Sequence, residues 1–155
     1  MKIAGDKLPN ITVTDDRGQP FQLPAQQNQW MVLYFYPKDD TPGCTKQACA
    51  FRDVDFSQWP VSIVGVSKDS VAKHQAFKAK YQLPFTLLSD QDGKLCELMG
   101  VIQEKSMYGK TYLGIVRSTF LIDPTGQIQY VWPKVRVPGH VESVLKELGN
   151  LIDKQ

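Results

Sequence analysis

Three consecutive pieces decide the fold: WMVLYFY at residues 30–36, PKDDTPGC at 37–44, and TKQACAFRDVDFSQW at 45–59. The first is a short, uninterrupted apolar and aromatic run, the pattern of a strand buried on both faces. The second turns through Pro42-Gly43, and the third predicts a helix over residues 44–59. Cys44 therefore falls where a strand has ended and a helix begins. A helix N-terminus leaves unpaired N–H groups and a partial positive charge, and both favour a thiolate over a thiol.

Downstream, VSIVGV at 61–66 reads as a second strand, and 70–81 as a helix with Val71, Ala72, Ala76, Phe77 and Tyr81 at helical spacing. A short strand is expected at 85–88, a turn at 90–93, and a short helix at 94–99 stopped by Gly100. Strands are expected at 115–122 and 128–132, flanking the turn Asp123-Pro124-Thr125-Gly126. The last segment places Val141, Val144, Leu145, Leu148, Leu151 and Ile152 on one helical face after Pro138-Gly139. Upstream, 11–14 and 21–23 flank Asp15-Asp16-Arg17-Gly18 and predict an N-terminal β-hairpin. The order β-α-β-α-β, then a hairpin, then a helix gives an α/β fold: a central mixed sheet flanked by helices, the layout of a thioredoxin-like domain. The βαβ half should be parallel and the hairpin half antiparallel. One domain over 1–155 is expected.

The net formal charge is +2 over 155 residues, and the basic residues are spread. That argues against a nucleic-acid stripe or a membrane-surface helix. No stretch reaches the roughly 18 apolar residues that span a bilayer, and the start of the chain lacks an apolar leader core. A cytoplasmic protein is expected. Three cysteines make no disulfide framework, and in a reducing compartment a close pair points to redox or metal chemistry. Metal is disfavoured because His74 and His140 lie far from the cysteines in sequence and read as surface or capping residues.

Cys44 is the candidate nucleophile. Thr41, three residues earlier, is placed to donate its hydroxyl to the sulfur, and Pro37 stiffens the loop and shields the pocket. A cation is wanted, and Arg117 in IVRSTF is the candidate, since an arginine on an apolar strand is costly to bury without an anion. On an edge strand it would instead face solvent. Cys49 follows Cys44 by five positions; on an ideal helix that is roughly 8–9 Å between Cα atoms and about 140° around the axis. A disulfide needs Cα atoms within about 7 Å. The pair can bond only if the first turns unwind, so Cys49 reads as a redox switch or as an inert residue packed beside Phe51 and Val54. C-x4-C is also not the spacing of a C-x-x-C disulfide oxidoreductase. Cys96, in KLCELMGV, reads as core on the apolar side of a short helix.

Pro37, Thr41 and Cys44 form P-x-x-x-T-x-x-C, which resembles the peroxidatic site of peroxiredoxins. The run FYPKDDTPGCTKQACAFRD, with VRSTFLIDPTGQI and PGHVESVL later, is similar to the bacterioferritin comigratory protein (PrxQ) subfamily over nearly the whole chain. The resemblance implies a cofactor-free thiol peroxidase. Cys44 attacks a hydroperoxide, Thr41 and Arg117 hold the peroxide oxygens, and Cys49 resolves the sulfenic acid as an intramolecular disulfide; relatives with the resolving cysteine on another helix make Cys96 the alternative resolver. It implies thioredoxin or a similar dithiol as reductant and, with the resolver on the same chain, a monomer. The other readings are a peroxide sensor or relay without fast turnover and, more weakly, a general disulfide oxidoreductase.

Overall fold

The computed structural model describes residues 1–25 and 28–153. The element order is β1 (Ile11–Asp15), β2 (Pro20–Leu23), β3 (Trp30–Phe35), α1 (Pro42–Arg52), β4 (Val61–Ser67), α2 (Val71–Tyr81) and β5 (Thr86–Ser89). Then follow α3 (Lys94–Met99), β6 (Ile102–Met107), β7 (Lys110–Ile115), β8 (Ser118–Ile122), β9 (Ile128–Trp132) and α4 (His140–Ile152). The expected span of 1–155 includes positions 26, 27, 154 and 155, which lie outside the described residues.

Seven strands form one sheet in the order β2-β1-β5-β4-β3-β8-β9. The pairs β3–β4 and β4–β5 are parallel, and β3–β8 and β8–β9 antiparallel, the mixed sheet the sequence predicts. The β1–β2 hairpin is present and joins the sheet edge by pairing β1 with β5. All six residues of β3 are buried, and they alternate between two cores. Met31, Leu33 and Phe35 enter the core that holds Leu95, Cys96 and Met99 of α3. Trp30, Val32 and Tyr34 enter the opposite core, with Cys44, Ala48 and Phe51 of α1, Phe77 of α2, and Val144 and Leu148 of α4. Because side chains along a strand point to opposite faces, Cys44 and Cys96 lie on opposite sides of the sheet.

Three expectations are corrected. The helix after Gly43 ends at Arg52, not near Trp59. Beyond it the Asp55 carboxylate accepts the Ser57 N–H at 2.9 Å, a local turn that competes with helix. The expected strand 115–122 is two strands, β7 and β8, broken at Val116 and Arg117. The polar stretch before it forms an unforeseen hairpin, β6–β7, whose Tyr108 and Gly109 both have positive φ, as the tightest two-residue loops require.

Local chemistry sets several ends. Pro42 occupies the first position of α1, where its missing N–H leaves nothing unsatisfied. The Ser70 side chain accepts the Lys73 N–H at 3.2 Å to cap α2. Gly100 ends α3 at φ +73, and a Cβ there would lie 2.6 Å from the Met1 backbone, so glycine is required twice over.

Candidate active site

The site lies beyond the C-terminal ends of β3 and β4, where α1 starts and the chain enters β8, which runs antiparallel to β3. Cys44 is in the first turn of α1 and 2 % exposed. Thr41 is the N-cap in extended conformation, and its side chain makes no capping bond. The first backbone bond of the helix runs from Thr45 N–H to the Thr41 carbonyl at 2.8 Å. The Gly43 and Cys44 N–H groups precede that ladder and form the positive end of the helix.

Arg117 resolves the choice left open by the sequence: its guanidinium turns inward. Nη2 lies 3.3 Å from Cys44 Sγ, and Nη1 donates to Gln47 Oε1 at 2.6 Å. The break between β7 and β8 makes this possible, because Arg117 is released from strand alternation while its carbonyl accepts the Val135 N–H at 2.8 Å. Gly43 completes the fit, since a Cβ there would sit 3.2 Å from Arg117 Nη2.

Thr41 differs from expectation. Its hydroxyl donates to the Lys38 carbonyl at 2.9 Å rather than to the sulfur. Its oxygen lone pairs stay available to a hydroxylated ligand. Pro37 is exposed at the exit of β3. Cys49 is half-buried further along α1, outside both cores, and both sulfurs are free thiols. Cys96 is wholly buried across the sheet, its thiol pushed up by burial and the neighbouring Asp90. Arg52 donates to Asp53 and to the Tyr81 carbonyl, away from Cys44.

Several residues around the sulfur were not foreseen. Gln47, fully buried, fixes the guanidinium and holds its Nε2 without a partner among the described residues. Helical spacing alone could have found it, as it is three residues from Cys44 on the same face. Tyr34 is buried with its hydroxyl likewise unpartnered; burial, then the nearby Cys44 and Asp39, raise its pKa well above the ordinary value. Lys105 comes from β6 and donates to the Ile115 carbonyl at 2.5 Å. Burial and then the Arg117 charge hold its pKa below the usual lysine value.

The histidines are corrected too. His74 is 0 % and His140 5 % exposed, so neither is a surface residue. His140 Nε2 bonds Thr119 Oγ1 at 2.8 Å; burial, then the Arg117 charge, bring its pKa down to about 4. His74, Asp39 and Asp69 have ligand-type atoms within 4.8 Å of one another. Both ring nitrogens of His74 are already engaged, with Asp39 and with the Leu88 carbonyl, so no lone pair is left for an ion.

A buried sulfur on a helix N-terminus, facing an oriented guanidinium, can attack an electrophile and steady charge on what leaves. The AhpC/TSA family pattern matches residues 4–131. The "putative peroxiredoxin bcp" of Coxiella burnetii is 54% identical over 146 residues, covering 93% of this chain and 97% of that protein. Peroxiredoxin Bcp of Escherichia coli K12 is 44% identical over 147 residues, 94% of each chain. The bacterioferritin comigratory protein of Xanthomonas campestris, solved to study its alkyl peroxide reduction, superposes with a TM-score of 0.85 at 44% identity, covering 90% of each chain. BcpB of Mycobacterium tuberculosis gives 0.86 at 32% identity, covering 97% of this chain and 99% of that one. The thioredoxin-like fold expected from the element order is thus shared with these proteins.

Proposed function

The chain belongs to the AhpC/TSA family, among its Bcp/PrxQ peroxiredoxins, and on that premise we propose that it is a two-cysteine thiol peroxidase with Cys44 as nucleophile and Cys49 as resolver. The observation that carries the assignment is the guanidinium of Arg117, 3.3 Å from a sulfur in the first turn of α1.

The Cys44 thiolate attacks the terminal oxygen of a hydroperoxide. The S–O bond forms as the O–O bond breaks, and the leaving oxygen departs as hydroxide or alkoxide and takes up a proton. Arg117 and the N–H groups at the start of α1 supply preorganised donors to that developing charge, while the Thr41 hydroxyl oxygen, its hydrogen given to the Lys38 carbonyl, accepts from the hydroperoxide O–H and orients it. Pro37 keeps the loop closed over the sulfur. Cys44 is left as a sulfenic acid. The start of α1 then unwinds, Cys49 sulfur displaces the sulfenic oxygen as water, and the Cys44–Cys49 disulfide forms. Thioredoxin or a similar dithiol reduces it by exchange and is itself oxidised. Both sulfurs lie on one chain, so a monomer suffices, and a reducing compartment such as the cytoplasm keeps the reductant supplied. Among the described residues no helix is long and apolar enough to cross a membrane.

The test is peroxide consumption coupled to thioredoxin and NADPH. Cys44→Ser should abolish consumption, Cys49→Ser should allow one oxidation without recycling, and Cys96→Ser should cycle. Cycling by Cys49→Ser together with failure of Cys96→Ser would overturn the choice of resolver. Oxidation of the wild type without recycling by any dithiol would leave a peroxide sensor.

A further inference from the structure

The loop from β3 to α1 carries both Pro37 and Thr41, and it is fastened to α2 by two carboxylates. Asp40, at φ 57, accepts Lys80 Nζ and the Tyr81 hydroxyl at 2.8 Å each, on the exposed side. Asp39 makes the buried fastening. Its backbone N–H donates to Asp69 Oδ2 at 2.9 Å, Oδ1 accepts the Tyr36 hydroxyl at 2.5 Å, and Oδ2 lies 2.6 Å from His74 Nδ1. His74 comes from α2, and its Nε2 lies 2.9 Å from the Leu88 carbonyl of β5.

Donor and acceptor counting fixes what the pair must contain. A backbone carbonyl only accepts, so Nε2 carries a hydrogen. The other nitrogen faces a carboxylate oxygen at 2.6 Å, and two lone pairs cannot hold that distance. A second proton must lie between Nδ1 and Oδ2. Remove it, and the two groups repel inside a site where neither is solvated.

We propose that the buried His74–Asp39 pair is a proton-dependent latch that positions the peroxidatic loop, so that loss of its shared proton releases Thr41 and Pro37 and slows attack by Cys44. His74 is then a positioning residue acting through Asp39, and the inference rests on the peroxidase reading for its effect on rate. The groups facing the pair are Tyr36 at the end of β3 and Asp69 from the β4–α2 loop, with Lys38, Lys73 and Lys80 around the same hollow. Burial opposes a charged His74 ring, but the Asp39 hydrogen bond and charge, the Leu88 carbonyl and Asp69 outweigh it, leaving its pKa above the ordinary histidine value. The latch is thus closed below that raised value and opens as pH rises through it.

Three measurements on the full chain test this. In the wild type, the ring nitrogen signals of His74 should titrate above the ordinary histidine value. Exchange protection of the Asp39 N–H should fall over the same interval. The single-turnover rate of Cys44 oxidation by hydrogen peroxide should then drop, by up to about 10²-fold for a displacement on the order of 1 Å. Asp39→Asn supplies an amide N–H to Nδ1 and still accepts from Tyr36, so it should keep the rate of the closed latch and remove the fall with rising pH. A rate that falls equally in Asp39→Asn, or a His74 titration uncoupled from Asp39 exchange, overturns the latch. Should Asp39→Asn fail to fold, coincidence of the three wild-type transitions decides. Should the chain reduce no peroxide, the ring titration and the Asp39 exchange still decide for the latch, while the peroxidase reading alone fails.

Discussion

Arg117→Met removes the guanidinium and keeps an unbranched apolar side chain in its place. At 3.3 Å from Sγ, a full charge would interact with a thiolate by about 5 kcal/mol at an effective dielectric of ~20, which caps what the contact can supply. The thiolate feels that charge before the reaction as well as during it, so only part of it accelerates the step. Loss of one preorganised donor at a developing oxyanion costs about 10²–10³ in rate, or ~3–4 kcal/mol. That range fits under the cap, and it is the drop expected in the second-order rate of hydrogen peroxide reduction by stopped-flow fluorescence. Arg117→Lys retains charge but cannot reach Sγ and Gln47 Oε1 together from one ammonium, and it should recover part of the loss. The control is alkylation of Cys44 by a small neutral haloamide, which needs the thiolate but not the peroxide geometry. If alkylation slows as much as peroxide reduction, Arg117 acts only on the sulfur and the transition-state argument is wrong. A loss below about threefold with peroxide would remove the oxyanion role itself.

Gly43→Ala should fold normally, because Gly43 has ordinary helical φ, yet its Cβ would press on Arg117 Nη2 from 3.2 Å; peroxide reduction should fall severalfold at unchanged melting temperature. Tyr34→Phe removes a buried hydroxyl that has no partner among the described residues, so urea unfolding should show no loss, or a gain of up to about 1 kcal/mol; a loss of that size would mean the hydroxyl is bonded in solution. His140 has its pKa brought down to about 4 from 6.5, so the unfolded chain binds the proton first. Stability is complete above about pH 6.5 and declines by about 3 kcal/mol as pH falls towards 4. Urea midpoints across that range should show the decline, and His140→Asn should flatten it.

The strand-turn-helix at 30–52 was legible because its signals are local: an apolar run, Pro-Gly, then helix-forming residues. Arg117 was legible for a related reason, as a charge amid apolar neighbours demands a partner. The β6–β7 hairpin was not, because its residues are mostly exposed and so carry no hydrophobic alternation. Buried His74 and His140 were missed because their partners, Asp39 and Thr119, lie 35 and 21 positions away. Asp39, in PKDD, carries no local signal of its burial. Burial of a polar residue is decided by what meets it in space, and composition is silent on that. The inward turn of Arg117 likewise depended on a strand break that apolar residues on both sides concealed.

The continuity of α1 has a consequence for the timing of the reaction cycle. While the helix is wound, the attacking sulfur is armed and its proposed partner is out of reach; once the pair is joined, the armed geometry no longer exists. On the proposed cycle the two half-cycles exclude one another, and the helix is the interlock between them. Winding and unwinding of a short helix takes about 0.1–1 μs, so the interval a sulfenic acid must wait is governed by how rarely the helix opens rather than by how fast. Thr41 provides no side-chain cap to hold that end closed. Any change that strengthens the first turns of α1 would therefore lengthen the wait and hand a second peroxide molecule more time to drive Cys44 to the sulfinic acid, beyond rescue by thiols. On that cycle, weakness at this one helix end is the chain's safeguard against its own substrate.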